Sequence, residues 1–234
     1  MKPRLIVASL MPPDVVARAR AEFDAVVAEG QDDMTLDEVL AAVAEYRTEA
    51  LLLTTTLKLN AAAIGGLPDF LKIAATSSVG FDHIDVPAAR KRGLIVTNTP
   101  GVLTEATAEL AFMLILNACR RAREYDQIMR EGWRKRYGQG DMLGLEVSGR
   151  SLGILGMGRI GQAVAQRARG FGMTVLYANR TRLPPALEQG AQYFADFRTM
   201  LPQCQILTVH APAGPETDRI MNRETFSLLP KGAV

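Results

Sequence analysis

Two doubly wound parallel-sheet units, an α/β architecture, are predicted for this 234-residue chain. Three observations carry the expectation. Short β-type runs alternate with helical patterns from the N-terminus onward. The rhythm breaks at the turn cluster Asn98-Thr99-Pro100-Gly101, and it resumes at Ser151 with a strand, a glycine turn and a helix. A parallel crossover needs a connection long enough to hold a helix, so strands separated by helices argue for parallel sheets covered on both faces. The length suits two domains, and a 48% apolar composition supplies a core for each. The expected division is residues 1–99 and 100–234.

In chain order, "RLIVASL" reads as a strand and "DVVARARAEF" as a helix. "ALLLTTT", "LKIAATS" and "GLIVTN" are further strands, with "LDEVLAAVAEY" and "VPAARKRG" as the helices among them. One long helical segment follows, from about Thr104 to Arg130. Its stretch "ATAELAFMLILNACRRA" is apolar nearly all round at first and basic at its end. A helix apolar on every side is buried, in a core or between subunits. From Ser151, "SLGILG" is a strand and "RIGQAVAQRARGFG" a helix closed by glycine. "MTVLYANR" and "AQYFAD" are strands, "RTMLPQC" a helix or turn, "QILTVHAP" a strong strand and "NRETFSLLP" a helix.

Composition excludes several classes. A formal net charge of +2 gives no footprint for nucleic acid or an anionic membrane. The densest basic stretch, Cys119 to Arg136, reads as a solvated helix face. No run approaches the ~20 apolar residues of a membrane span. Cys119 and Cys204 are distant in sequence and lack metal-ligand spacing, so two reduced thiols in a cytoplasmic protein are expected, with no metal site. "MKPRLIVASLMPPD" breaks at Pro12-Pro13 and fits a first strand better than a signal peptide.

The best-defined motif is Gly156-Met157-Gly158-Arg159-Ile160-Gly161, a G-x-G-x-x-G between a strand and a helix. In this context Gly156 allows the tight turn, Gly158 lets a pyrophosphate approach the backbone, and Gly161 lets helix pack on strand. The helix start then offers N–H groups and a partial positive charge to phosphate. A dinucleotide is therefore expected. An NAD site usually places Asp or Glu about 20 residues on, to accept from the ribose 2′-OH. Here the second strand ends in Asn179-Arg180-Thr181-Arg182. Arginine matches phosphate oxygens in a two-pronged fork. At roughly 1.5–3 kcal/mol per charge-assisted bond, this predicts a preference of about tenfold or more for NADP(H), with NAD(H) possible.

With those residues in hand, the chain resembles the D-isomer-specific 2-hydroxyacid dehydrogenases, most closely their glyoxylate/hydroxypyruvate reductase branch. The resemblance runs through "SSVGFDHIDVPAARKRGLIVTNTPGVLTEATAELAFMLIL", "LGILGMGRIGQAVAQRARGFGMTVLYANRTR" and "LTVHAPAGPETDRIMNRETFSLLPKGAV". The apolar helix around Thr104–Arg130 by itself favours a homodimer, and the resemblance implies a flavodoxin-like substrate domain and a Rossmann cofactor domain. It further implies that the N–H groups of Val79 and Gly80 bind the carboxylate of a small 2-keto or 2-hydroxy acid, with Leu57 lining that pocket. On the cofactor side it implies Met157 to Ile160 at the pyrophosphate and Thr104 near the nicotinamide. His210, Ala211, Pro212 and Thr217 are implied beside the adenosine. His83 and His210 are then a structural residue and a strand-end cofactor neighbour, not the acid/base.

The family's catalytic arginine, glutamate and histidine match no residue of this chain; by resemblance they are expected beyond Val234. The chain is accordingly expected to be a fragment with little turnover. A non-catalytic dinucleotide-binding regulator, like the family's corepressor relatives, and a formate or phosphite dehydrogenase are the competing expectations.

Overall fold

A computed structural model describes residues 2–234. The chain divides into two compact units, one ending at Val102 and the other spanning Leu103–Val234.

The first unit runs β1 (Arg4–Val7), α1 (Pro13–Glu22), β2 (Asp24–Val27), α2 (Leu36–Tyr46), β3 (Ala50–Leu53), α3 (Ala61–Gly66), β4 (Ile73–Thr76), α4 (Val86–Arg92) and β5 (Ile95–Thr97). Its strands form one parallel sheet in the order β2-β1-β3-β4-β5. Successive side chains of a strand point to opposite faces. Thus Ile6, Leu51, Leu53 and Ala74 meet Val39 and Val43 of α2, Ala63 and Ile64 of α3 and Ala89 of α4 on one side. Leu5, Val7 and Val27 meet Ala19 of α1 on the other.

Local chemistry sets the helix ends. Pro13 opens α1, where a missing N–H costs nothing. Thr35 and Glu38 cap α2 reciprocally: Thr35 N–H donates to Glu38 Oε2 at 2.7 Å, and Glu38 N–H to Thr35 Oγ1 at 3.3 Å. Asp85 caps α4, and Gly93 ends it at φ +78°. Two elements add to those expected from the sequence: β2, whose residues are largely half-buried at the sheet edge, and α3, six residues ending in two glycines.

The second unit continues with α5 (Thr104–Cys119), α6 (Ala122–Arg130), β6 (Ser151–Leu155), α7 (Arg159–Gly170), β7 (Thr174–Ala178), α8 (Pro185–Glu188), β8 (Gln192–Phe194) and α9 (Phe197–Met200). A 3₁₀ turn (Leu201–Gln203), β9 (Ile206–Val209) and α10 (Arg223–Ser227) complete it. The parallel sheet is ordered β8-β7-β6-β9. Leu152, Ile154, Val175 and Tyr177 face α5 and α7, while Leu155, Leu176 and Ala178 face Met200 and Cys204. Val234 lies along β9, accepting from Leu207 N–H at 2.8 Å and donating to Gln205 O at 3.1 Å.

One expectation is corrected. The long helix is two helices. Arg121 takes a left-handed conformation at φ +54° and ends the run. The cause lies in the residues after α6: Leu145 N–H donates to Cys119 O at 2.6 Å, and a side chain at Gly144 would lie 2.8 Å from that same oxygen. The last carbonyl of α5 is thus satisfied from outside the helix. The Arg121 guanidinium then grips Glu124 with two 2.6 Å bonds, anchoring the start of α6. One face of α5 is buried in the core and another is open in the single chain. Ala108, Phe112, Ile115 and Cys119 point into the core, whereas Leu110, Met113 and Leu114 are 48–55% exposed.

Gly153 sits where β6 crosses Cys204, and an added methyl would fall on the Cys204 Sγ. Gly153→Ala should cost about 1–3 kcal/mol in urea unfolding. Cys204→Ala in the same chain should recover only part of it, because Cys204 Cβ and Leu207 Cδ1 remain at 3.2 and 3.3 Å. An unchanged urea midpoint for the single variant would refute the close approach.

Candidate functional site

In the second unit, β6 lies between β7 on one side and β9 on the other, so the connections leaving it reverse direction there. Ligands of open α/β sheets bind outside the strand carboxyl ends at such a point. Three strand ends are tied together here. Gly156 N–H donates to Ala178 O at 3.0 Å, and His210 N–H donates to Leu155 O at 2.7 Å. Met157 N–H donates to Asn179 Oδ1 at 2.7 Å.

The three glycines of the motif do different work. Gly156 has φ +95°, and a Cβ there would lie 2.5 Å from Ala211 N. At Gly161 a Cβ would fall on the Gly156 carbonyl oxygen. Gly158 has an ordinary φ of −75°, and a Cβ there would meet nothing within 4 Å. The fold therefore requires two of the glycines, while the third leaves open space at the start of α7. No side chain caps that start. The first N–H groups of a helix have no partner within it, so the amides of Arg159 and Ile160 are available to an anion beside Gly158. These residues fit a dinucleotide pyrophosphate.

Met157 does not belong among the donors. Its amide is engaged by Asn179 and its side chain is fully buried, so it shapes the loop. Asn179 likewise is a tie, half-buried between the ends of β6 and β7. Past it, Arg180 is 85% exposed and reaches only Glu216, at 3.6 Å. Thr181 is exposed. Arg182 departs from the expected pair of open guanidiniums. It is held by Glu188 through two bonds, Nε to Oε1 at 2.8 Å and Nη2 to Oε2 at 3.1 Å. Glu188 is buried and also accepts from Tyr177 Oη at 2.6 Å. Arg182 first, and then the tyrosine, hold the Glu188 carboxyl below the usual carboxylate range. No spacing rule points to Glu188, since it lies well past the place where an acidic residue is sought.

After β9, the half-buried His210 shares a 3.0 Å bond between Nε2 and Thr208 Oγ1. Burial pushes its pKa down. The backbone of Ala211 passes close to Gly156, where an added Cβ would lie 2.5 Å from the Ala211 nitrogen. Thr217 donates its hydroxyl to the carbonyl of Pro212 at 2.7 Å and closes the following turn. Thr104 is the first residue of α5, which Arg167 joins to α7 through Glu105 at 3.0 Å and Glu109 at 3.2 Å.

The first unit, taken by itself, has a loop of its own after β4. Val79 O accepts from Asn98 Nδ2 at 2.8 Å, Ser78 O from Thr99 N–H at 2.9 Å, and Gly80 O from Ser78 Oγ at 2.7 Å. Among the described residues, the N–H groups of Val79 and Gly80 donate to no other group. Carbonyls held inward leave the two amides for a small anion. His83 lies behind this loop. It is buried, its Nε2 is 3.0 Å from Thr76 Oγ1, and that hydroxyl is 2.7 Å from Ser78 Oγ. Burial lowers its pKa, with Asp82 opposing in part. Leu57, expected to line a pocket, instead packs in the core with Leu53, Leu59 and Ile84 at 5% exposure. An alcohol cluster unread in the sequence closes the ends of β1 and β3: Ser9 to Thr54 at 3.0 Å, Thr54 to Thr56 at 2.8 Å, and Thr56 to Asp33. The "TTT" that ends "ALLLTTT" was its only signal.

Residues 112–234 match the profile of the D-isomer specific 2-hydroxyacid dehydrogenase NAD binding domain. A glyoxylate reductase of Thermococcus litoralis is 43% identical over 190 residues, covering 80% of this chain and 57% of that protein. A glycerate dehydrogenase of Hyphomicrobium methylovorum is 36% identical over the whole chain and 72% of its own length. A crystal structure from Polaromonas sp. JS6 66, under the same family description, superposes with a TM-score of 0.88 at 39% identity, over the whole chain and 72% of its own.

Two outcomes follow from this geometry. Gly158→Ala should leave thermal stability unchanged and weaken NADPH binding, measured by nucleotide fluorescence, because its methyl enters only the open space. Gly161→Ala should lower both. If both variants behave alike, the distinction between the glycines fails. The second outcome concerns pH. An unfolded histidine titrates near 6.5. Buried His83 resists the proton, so below pH 6.5 the unfolded state binds more protons and stability falls with pH down to the lowered pKa. His83→Gln, which keeps a polar atom toward Thr76, should lose less stability than the parent between pH 7 and pH 5.5 in urea melts. Equal losses would refute the assignment.

Proposed function

Because this chain belongs to the D-isomer specific 2-hydroxyacid dehydrogenase family, we propose that it serves NADPH-dependent reduction of a small 2-keto acid such as glyoxylate or hydroxypyruvate. The observation that carries this reading is the open, uncapped start of α7 at Gly158, with the exposed Arg180 on the neighbouring strand end. The amides of Gly158, Arg159 and Ile160 hold the pyrophosphate. Arg180, with the Thr181 hydroxyl, accepts the 2′-phosphate, and its loose tie to Glu216 is exchanged cheaply because both side chains are in water. His210, Ala211, Pro212 and Thr217 form the wall after β9, and Thr104 begins the helix assigned to the nicotinamide side. When bound, the nicotinamide supplies the hydride for the keto carbon.

The substrate carboxylate is assigned to the N–H groups of Val79 and Gly80. Asn98, Thr99 and Ser78 position them by engaging the loop's carbonyls, so the donors are in place before substrate arrives. Neither histidine serves as the proton donor in this reading. His83 Nε2 is spent on Thr76 and His210 Nε2 on Thr208, both in buried surroundings that favour the neutral ring. These 234 residues therefore bind and orient both reactants without supplying the proton, and turnover by them alone is expected to be negligible. The exposed Leu110, Met113 and Leu114 of α5 favour a homodimer through that helix. The buried, unpaired Cys119 and Cys204 suit a cytoplasmic setting.

The engaged histidines also favour a second reading, a dinucleotide-binding regulator without chemistry. Such a sensor should bind NADPH and NADP⁺ unequally and change its association state on binding.

Fluorescence titration with NADPH and NADH tests the cofactor assignment. NADPH should bind at least about tenfold more tightly, and Arg180→Gln should remove most of that margin while leaving NADH affinity in place. Equal affinities in the parent chain would refute the phosphate-reading role.

A further inference from the structure

We propose that Glu188 is a specificity-determining residue: by occupying the Arg182 guanidinium it withholds one of two arginines from the 2′-phosphate and so caps the preference for NADPH. This inference rests on the nucleotide-binding reading above and goes beyond it, because it assigns a role to a carboxylate that contacts no part of the nucleotide.

Arg180 and Arg182 stand two residues apart on the same loop after β7 and are both largely exposed, yet one is paired with a solvated carboxylate and the other with a buried one. The Arg180–Glu216 pair is 3.6 Å long, with side chains 85% and 75% exposed. Water already competes for both groups, and an arriving phosphate displaces little. Arg182 instead closes a two-pronged pair on Glu188, whose side chain is 8% exposed. Taking Arg182 away would leave that carboxylate with Tyr177 Oη alone, in a place water barely reaches. An unpaired buried charge is penalised far more than an exposed one. A phosphate must therefore outbid a desolvated carboxylate for Arg182 and only a solvated one for Arg180.

The loop's course does not depend on the Glu188–Arg182 pair. Leu183 N–H donates to Tyr177 Oη at 3.0 Å, Tyr193 Oη to Asn179 O at 3.2 Å, and Met157 N–H to Asn179 Oδ1 at 2.7 Å. The Arg182 guanidinium also lies 5.8 Å from the centre of the Tyr193 ring. Neutralising Glu188 thus releases the guanidinium, not the backbone that carries it. Glu188→Gln keeps the shape and a partner for the tyrosine while removing the charge.

The experiment is a set of NADPH and NADH titrations by nucleotide fluorescence on the full chain and on Arg182→Gln, Glu188→Gln and the double variant. Arg182→Gln should leave the NADPH:NADH affinity ratio within about twofold of the parent, because that arginine is not in use. Glu188→Gln should raise the ratio about fivefold or more through NADPH alone, the scale of one added charge-assisted contact. The double variant should return it to the parent value. The proposal is overturned if Arg182→Gln collapses the ratio, since Arg182 then leaves Glu188 to read the phosphate. It is equally overturned if a folded Glu188→Gln weakens both nucleotides alike, which marks a purely structural pin. Should Glu188→Gln fail to fold by circular dichroism, the double variant, which leaves no unpaired charge at the site, takes its place, and a ratio well below the parent's overturns the proposal. A parent chain that binds neither nucleotide removes the cofactor reading and this one with it. A parent that binds both equally removes only the role of Arg180, and the rise in Glu188→Gln remains the test here.

Discussion

The close approach of Gly161 to the carbonyl of Gly156 governs the cofactor half of this protein. A helix can start directly at the end of a strand only if the first turn lies against the strand's last residue. Here no side chain fits between them. Gly156, at φ +95°, makes the reversal, and its own missing Cβ lets the backbone after β9 close in at Ala211. Those two contacts bring the ends of β6 and β9 and the start of α7 to one place. The ties from Ala178 and Asn179 add the end of β7. What remains open is the position of Gly158, where the protein itself has no use for the space.

Much of this was legible in the sequence, because it depends on local rules. Alternating strands and helices, glycine spacing and a strand-to-helix context are properties of neighbouring residues, and they located both sheets and the glycine loop. The features that escaped are set by contacts distant along the chain. The break after Cys119 depends on Leu145 and Gly144, some 25 residues on. Nothing in "NACRRAREYD" announces it, since arginine rarely adopts φ > 0. Leu57 reads as a loop residue, but its burial is decided by Leu59 and Ile84. Arg182 looks identical to Arg180 in the sequence. Only the fold of β7 and α8 brings Glu188 and Tyr177 to one of them and not the other.

The same device recurs in the two units. In each, loop carbonyls and side-chain oxygens are tied to neighbouring strand ends, which leaves a short set of amide N–H groups facing outward. In the first unit the ties are Asn98, Thr99 and Ser78; in the second they are Asn179 and Gln162, whose Nε2 donates to Met157 O at 3.2 Å. Hydroxyls and amides suit this task because they exchange hydrogen bonds without bringing charge. A lysine or aspartate in their place would pair with the incoming ligand or repel it. The two histidines fit the pattern, since burial pushes the pKa of each down and so disfavours a charge there.

On the proposed function, this economy of charge bears on how a chain of net charge +2 would hold two anionic ligands. Electrostatic attraction by surface arginines and lysines would be long-ranged, indifferent to ligand shape and weakened by salt. Aligned peptide dipoles act only within the first turn or loop, so they bind an anion where its geometry matches and nowhere else. Discrimination between nucleotides differing by one phosphate cannot come from those dipoles, which see the shared pyrophosphate. On the nucleotide-binding reading proposed above, it falls to a fixed positive charge at the end of β7. Two guanidiniums are encoded there, and the fold leaves one solvated while tying the other to a buried carboxylate. On the role proposed for Glu188, phosphate preference follows the number of strand-end arginines free of a buried carboxylate, not the number encoded.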